Sequence, residues 1–294
     1  MQSSLFKNKK STLLMLLVPG ILIYLFVVIT PLISAFGYSF TDWTIGPNKN
    51  FIGIENYKTL MGDKVFRQAL KHNLFIVFAN VTVQMAIAFV LSVLFTSKAT
   101  KFQGFHRTVI FLPVVLSAVV VGYIWQMIYS NNYGILNAIL RFIGLQSWIK
   151  PWLDSPDVVL GSVTAPLVWQ YLGVPLIIFM SAVQGIPKDI YEVCELDGVT
   201  GVKKAIYITF PLIADSIRVA IMLSIASNML VFTHIYVLTG GGPGTSSMVL
   251  AQYAYNTSFT SMKLGYGNAV SIAIFVVSFA IVFLFRKLTG GKEE

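Results

Sequence analysis

Charge is scarce in this sequence. Asp, Glu, Lys and Arg make up only 11% of the 294 residues while 56% are hydrophobic, which leaves too little polar surface to keep a chain of this length in water. Cysteine is nearly absent, and the single Cys194 excludes an internal disulfide and any metal site built from several thiolates. Histidine is equally rare. His72, His106 and His234 do not have the mutual spacing of a metal-binding pair, so no metal or cofactor is expected. No grouping of nucleophile, base and orienting acid is present either, so the chain is not expected to be an enzyme.

Two further classes fall on specific residues. The run Gly240-Gly241-Gly242-Pro243-Gly244-Thr245 superficially resembles a phosphate-binding loop, but no Lys follows to reach a phosphate and a Pro interrupts it. A tight turn closing an apolar segment is expected there instead. The net charge of +9 does not point to nucleic acid, because no basic helix with interleaved aromatics accompanies it. Contact with anionic lipid accounts for it.

What remains is long apolar runs separated by clusters of charge. A bilayer core ~30 Å thick needs about 20 apolar residues in a helix, since backbone groups have no water to bond in hydrocarbon. Six runs qualify, at approximately 12–36, 72–97, 108–129, 158–182, 212–238 and 265–285. None alternates as a membrane barrel strand does. The first is too long for a signal-peptide core and lacks a small-residue cleavage pattern, so it is expected to be retained. The expected fold is therefore all-α and polytopic, a single domain over 1–294.

Basic residues in the flanks set the orientation. An even number of spans places both ends on one side. That side holds Lys7, Lys9, Lys10, Lys98, Lys101, Arg107, Lys188, Lys203, Lys204, Arg286, Lys287 and Lys292, twelve against eight on the other. Both termini are expected in the cytoplasm.

The segment 185–211, GIPKDIYEVCELDGVTGVKKAIYITFP, lies on that same side. Pro187 suits a first helical position, and Asp189 and Glu192 place negative charge where a helix dipole favours it. Ile190, Val193 and Cys194 recur at helical spacing on a small apolar face. Gly198 supplies a left-handed helix end, and Thr200 is positioned to cap a second short helix carrying Lys203 and Lys204. A helix-turn-helix knob projecting from the membrane is expected.

This stretch resembles the EAA loop of permease subunits of binding-protein-dependent ABC importers, with Glu192, Asp197, Gly198, Ile208 and Pro211 in register. Val193 and Cys194 stand where the motif has two alanines, Val199 where it has a third, and Ala205 where Phe is common. The resemblance extends along most of the chain to the carbohydrate-uptake branch, similar to the first membrane subunit of maltose, lactose and glycerol-phosphate systems, through FIGIENYKTL from Phe51, FHRTVIFLPVVLSAVV from Phe105, YGILNAIL from Tyr133, IYVLTGGGPGTSS from Ile235 and LGYGNAVS from Leu264.

The resemblance implies the type I ABC importer permease fold with six transmembrane helices in a bacterial inner membrane. It also implies a second permease, two ATPase subunits and an extracytoplasmic solute-binding protein as partners, with a sugar as substrate. Glu192, Glu195, Asp197, Gly198, Ile208 and Pro211 are then the candidate ATPase-coupling residues.

For the substrate pathway, uncharged polar residues and aromatics inside the spans suit sugar hydroxyls and sugar faces. Asn80, Gln84, Trp125, Gln126, Gln170 and Asn228 are the candidates; the bland alternative is hydrogen bonding between membrane helices. An ion-coupled carrier acting alone is the competing function. It usually needs a buried carboxylate, whereas Asp215 and Arg218, the only charges in the last two spans, sit three apart as a surface anchor would. Outside the membrane, Ile135, Leu136, Ile139, Leu140 and Ile143 predict an interfacial helix in 130–157. With 37–71 and 239–264 it is expected to form the surface that meets the binding protein.

Overall fold

A computed structural model describes residues 9–97 and 101–290. Lys7, Lys98 and Lys292, three of the residues counted for orientation, lie outside the described residues, as do the two chain ends. Among the described residues the regular structure is helical, apart from an isolated antiparallel bridge between Thr41 and Phe51. In chain order the principal helices are α1 (Leu13–Tyr38), α2 (Glu55–Gly62), α3 (Lys64–Thr96), α4 (Gln103–Val115), α5 (Ala118–Tyr129), α6 (Ile135–Phe142), α7 (Val159–Tyr171), α8 (Gly173–Gln184), α9 (Lys188–Leu196), α10 (Gly201–Leu212), α11 (Ala214–Met229), α12 (Thr233–Thr239), α13 (Leu250–Tyr255) and α14 (Leu264–Thr289).

Three of these, α1, α3 and α14, are long and apolar enough to cross a bilayer unaided. The other three spans are bent pairs: α4 with α5 at 101°, α7 with α8 at 43° and α10 with α11 at 73°. Each bend has a local cause. Leu116 and Ser117 adopt extended backbone, and the Ser117 hydroxyl accepts from the Val120 N–H at 3.3 Å to start α5, as an N-cap does. Pro175 has no N–H to return to the Tyr171 carbonyl, which loosens the α7–α8 junction. At Ile213 the backbone leaves the helical region (φ −102°, ψ 12°), two residues after Pro211.

The fifth span ends earlier than its composition predicts. Helix α11 stops at Met229, residues 230–232 are non-helical and α12 follows as a separate short helix, so 212–238 is not continuous. Apolarity does not change across the break, which leaves no compositional mark.

The described residues fall into two compact units, drawn from Met1–Asp63 with Ala254–Ala273 and from Lys64–Tyr253 with Ile274–Glu294. In the first, none of the most apolar window of α1 is buried within the chain, so its side chains are left for lipid or another subunit. The loop after α1 is tied by the buried Asn56, whose amide donates to the Ser39 and Thr41 carbonyls at 2.8 Å each. Lys49 lies over the rings of Tyr38 and Trp43 at 4.2 and 4.1 Å, a cation–π arrangement.

The second unit holds two apolar clusters. One joins Met85 and Ala88 of α3 to Leu176, Phe179, Met180 and Val183 of α8 and to Ile213, Ile217 and Ala220. The other joins Ile76 of α3 to Val159, Val163 and Leu167 of α7 and to Ile235 and Leu238 of α12. Helix α3 is thus the common wall.

Close approach at the α4–α8 contact depends on Gly173. A Cβ there would lie 2.9 Å from the Phe111 Cα and 3.1 Å from the Ile110 carbonyl oxygen, whereas at Gly161 it would meet nothing within 4 Å. Backbone cannot yield as a flexible side chain does, and overpacking of this kind costs about 1–3 kcal/mol. Gly173→Leu is expected to lower the thermal midpoint of the purified protein by several degrees while Gly161→Ala leaves it unchanged, as followed by intrinsic tryptophan fluorescence.

Candidate functional site

The segment between the fourth and fifth spans forms the expected knob. Pro187 takes the N-cap position of α9, one residue earlier than the sequence reading placed it. The helix closes with a complete Schellman turn: Val199 N–H donates to the Cys194 carbonyl at 2.7 Å and Gly198 N–H to the Glu195 carbonyl at 3.2 Å. That turn needs a left-handed residue, and Gly198 has φ +73°. Thr200 sits at the N-cap of α10, but its side chain makes no capping hydrogen bond.

Two helices of this length do not hold their shape alone, and the knob is braced from within. The Tyr191 hydroxyl pairs with the Thr209 hydroxyl at 3.2 Å. Lys204 bridges to Glu195 at 3.2 Å and lies 5.3 Å from the Tyr191 ring centroid. The roots are locked as well, since Ile213 is buried in the α3–α8 cluster and Ile186 packs against it. Cys194 is buried, whereas Val193, Leu196, Val202 and Tyr207 are exposed, so the apolar face expected from Ile190, Val193 and Cys194 is split between core and surface.

Of the six coupling candidates, Glu195 is spent on Lys204. Glu192 and Asp197 are exposed carboxylates with no partner among the described residues, Gly198 and Pro211 are exposed and Ile208 is half-buried. A rigid, well-rooted projection that ends in free carboxylates and bare apolar side chains is suited to being gripped by another protein.

The second candidate site is the polar row within the spans, and most of it is engaged with helix ends. The Asn80 amide donates to Asn228 Oδ1 at 2.7 Å, and the Asn228 amide donates to the Ser224 carbonyl at 2.8 Å. Gln84 donates to the Leu167 and Val168 carbonyls near the end of α7. Gln126 donates to the Val237 carbonyl at 2.6 Å in the last turn of α12. The Gln170 amide donates to the Leu116 carbonyl at 2.8 Å at the α4–α5 bend, while its oxygen pairs with His234 Nε2. Helix ends carry backbone groups without intrahelical partners, and in a dry interior a side-chain amide is their best replacement for water.

Three contributors escaped sequence reasoning. Asn73, fully buried, donates to the Asn228 and Met229 carbonyls at 3.1 and 3.2 Å and accepts the Leu250 N–H at 2.8 Å. It lies seven residues before Asn80 and eleven before Gln84, one helical face, so the amide stripe was present in the sequence. His234 completes the Gln170 pair. The Tyr129 hydroxyl donates at 2.9 Å to the Ser162 carbonyl, the acceptor that Pro166, four residues on, cannot serve.

The breaks enclose space. A cavity of ≈ 190 Å³ is lined by Ala118, Tyr171, Asn228, Phe232 and His234 among others, where the α4–α5 and α7–α8 bends meet the 230–232 break. Trp125 completes the candidates: its ring lies 5.2 Å from Tyr129 and 6.0 Å from Trp169, and its indole N–H is buried without a partner. Asn80 Oδ1 is likewise buried and unpaired.

Spans broken around a polar cavity, with a braced knob rooted beneath them, define the class of the membrane subunits of ABC importers. The chain belongs to the family of binding-protein-dependent transport system inner membrane components, whose model matches residues 84–289. It is 34% identical to the probable ABC transporter permease protein YurN of Bacillus subtilis over 95% of this chain and 96% of that one. It is 31% identical to the diacetylchitobiose uptake system permease protein NgcF of Streptomyces coelicolor, over 92% and 81% of the respective chains. The fold matches a bacterial ABC transporter involved in import of the acidic polysaccharide alginate with a TM-score of 0.84 at 23% identity, over 98% of both chains. The protein is therefore a multi-pass permease subunit of an ABC importer that works with a binding protein.

Asn73 satisfies three buried backbone groups at once. Each group left unpaired costs roughly 1–3 kcal/mol. Asn73→Leu is expected to lower the thermal midpoint of the purified permease markedly and to raise hydrogen exchange at Leu250; an unchanged midpoint would rule out the capping role.

Proposed function

We propose that this chain forms, with a second permease, the pathway by which a sugar or oligosaccharide is imported, driven by two ATPase subunits docked on its knob and supplied by an extracytoplasmic solute-binding protein. In this reading both termini and the 185–211 segment face the cytoplasm, which the excess of basic flanking residues supports. The sugar assignment is supported by the relative that imports diacetylchitobiose and by polar, uncharged and aromatic residues around the span breaks. An ion-coupled carrier acting alone has no support in the family.

The observation that carries the coupling role is the knob itself. Glu192 and Asp197 offer charge to basic residues of the ATPase, Gly198 offers close backbone approach, Glu195 braces the fold through Lys204, and Ile208 and Pro211 connect the knob to α11. When ATP closes the nucleotide-binding dimer, a knob that stays attached carries that motion into the α3–α8 cluster, and the bent spans rock between inward and outward access. Asn228 lines the cavity a sugar crosses, and Asn80, which bonds its side chain, and Trp125 keep unpaired polar atoms within the same spans. Gln84, Gln126 and Gln170 hold the breaks open around it.

A Cβ on Gly198 would meet nothing within 4 Å and the residue is exposed, so an added side chain starts in open space, where a docked partner would meet it. Backbone strain is separable, because Asn tolerates the left-handed conformation. Gly198→Trp is expected to insert normally yet abolish uptake and solute-stimulated ATPase activity in proteoliposomes, while Gly198→Asn retains most of both. Full transport by the Trp variant would refute docking at this turn.

A further inference from the structure

A second pocket in the Lys64–Tyr253 part of the chain is distinct from the cavity among the span breaks. It has a volume of ≈ 680 Å³ and is lined by residues from all three segments expected outside the membrane: Gln68 and His72 at the start of α3, Trp152 and Asp157 before α7, and Ser246 after α12. That size lies within the roughly 300–1,000 Å³ typical of small-ligand sites. Resting on the importer reading above, we propose that this pocket is a reception site for a neutral saccharide on its way from the binding protein to the spans.

Its walls have the required chemistry. Trp152 and Tyr129 present rings 6.2 Å apart at 32°, and Trp152 is held in place by its indole N–H donating to the buried Asn137 at 2.8 Å. A fixed, amphipathic aromatic surface packs against the apolar face of a sugar ring. The same rings begin a continuous aromatic track, since Tyr129 contacts Trp125 and Trp125 contacts Trp169.

Polar groups at the wall are left open. His72 uses Nδ1 on the Met248 carbonyl at 2.9 Å and Gln68 uses its oxygen on the Thr245 hydroxyl at 2.9 Å. His72 Nε2, the Gln68 amide nitrogen and the Asp157 carboxylate have no partner among the described residues, and all three belong to the lining. Hydroxyl groups, which both donate and accept, match such a mixed set.

The lining also excludes a ligand class. It contains no Lys or Arg, and Asp157 is its one carboxylate. A uronate entering here meets a like charge and no counterion, and a desolvated charge without a partner is strongly disfavoured. The site takes neutral sugars, or amino sugars, and rejects acidic ones.

Gly161 is the natural reporter position, because it lines the pocket, an added Cβ meets open space, and native Cys194 is buried. The assembly of Gly161→Cys permease, second permease and ATPases is labelled in nanodiscs with a membrane-impermeant maleimide. The neutral probes are maltotriose, diacetylchitobiose and arabinotriose, with an alginate trisaccharide as the acidic one. The neutral probe that the wild-type assembly imports is expected to slow labelling several-fold, the alginate trisaccharide to leave it unchanged, and Trp152→Ala to remove the protection. Equal labelling with and without every probe, equal protection by the acidic probe, or full protection by sugar-free binding protein or by the second permease alone would each overturn the site. ATP-driven uptake by the reporter assembly without any protection sinks the reception site alone; failure of the wild-type assembly to import any of the neutral probes sinks the sugar-import reading beneath it.

Discussion

Every helix end placed in an apolar medium leaves carbonyls or amides that water cannot reach, and this protein is organised around that constraint. It breaks three of its spans, and each break creates such groups in a region where an unpaired one costs several kcal/mol. The solution is local and repeated. Asn73, Gln84 and Gln170 each turn an amide toward a carbonyl beside a break, Gln126 does so at the far end of α12, and Tyr129 does the same with its hydroxyl for the carbonyl orphaned by Pro166. Because these side chains come from a different helix in each case, satisfying the backbone also joins the helices together.

This explains why the polar residues of the spans serve two purposes. A continuous helix has no free backbone groups and encloses nothing, whereas a broken one needs amides and opens a cavity beside them. The ≈ 190 Å³ space lined by Asn228 and His234 lies where α11 and α12 are separate, and Asn73 satisfies the Asn228 and Met229 carbonyls at the end of α11 beside it. Structural roles and the pathway role proposed above therefore draw on the same breaks, and the two need not compete for a residue. Asn228 shows it: its backbone carbonyl is capped by Asn73 while its side chain reaches Asn80 and the cavity.

The sequence disclosed the elements that depend on composition and local backbone chemistry. Apolar runs located six spans, a Gly followed by a short basic helix located the knob, and Gly198 takes the left-handed conformation its position requires. The break at 230–232 was hidden, since Leu230, Val231 and Phe232 are as apolar as their neighbours and the cause lies 155 residues away, in Asn73. The outer pocket was hidden for the same reason. Its walls come from helices and loops far apart in the chain, and no local pattern links Gln68 to Trp152 or Ser246.

The knob obeys the opposite rule to the spans. In the membrane nearly every polar group is paired within the chain, but Glu192 and Asp197 are left bare at the tip beside exposed Leu196 and Val202. An exposed carboxylate in water costs nothing to leave unpaired, so the chain can leave these side chains unsatisfied while its own stability is secured elsewhere. What it cannot leave loose is the connection between the tip and the bundle. Tyr191–Thr209, Lys204–Glu195 and the burial of Ile213 tie the knob to the α3–α8 cluster, and in the coupling role proposed above that connection carries a displacement at the tip into the bundle.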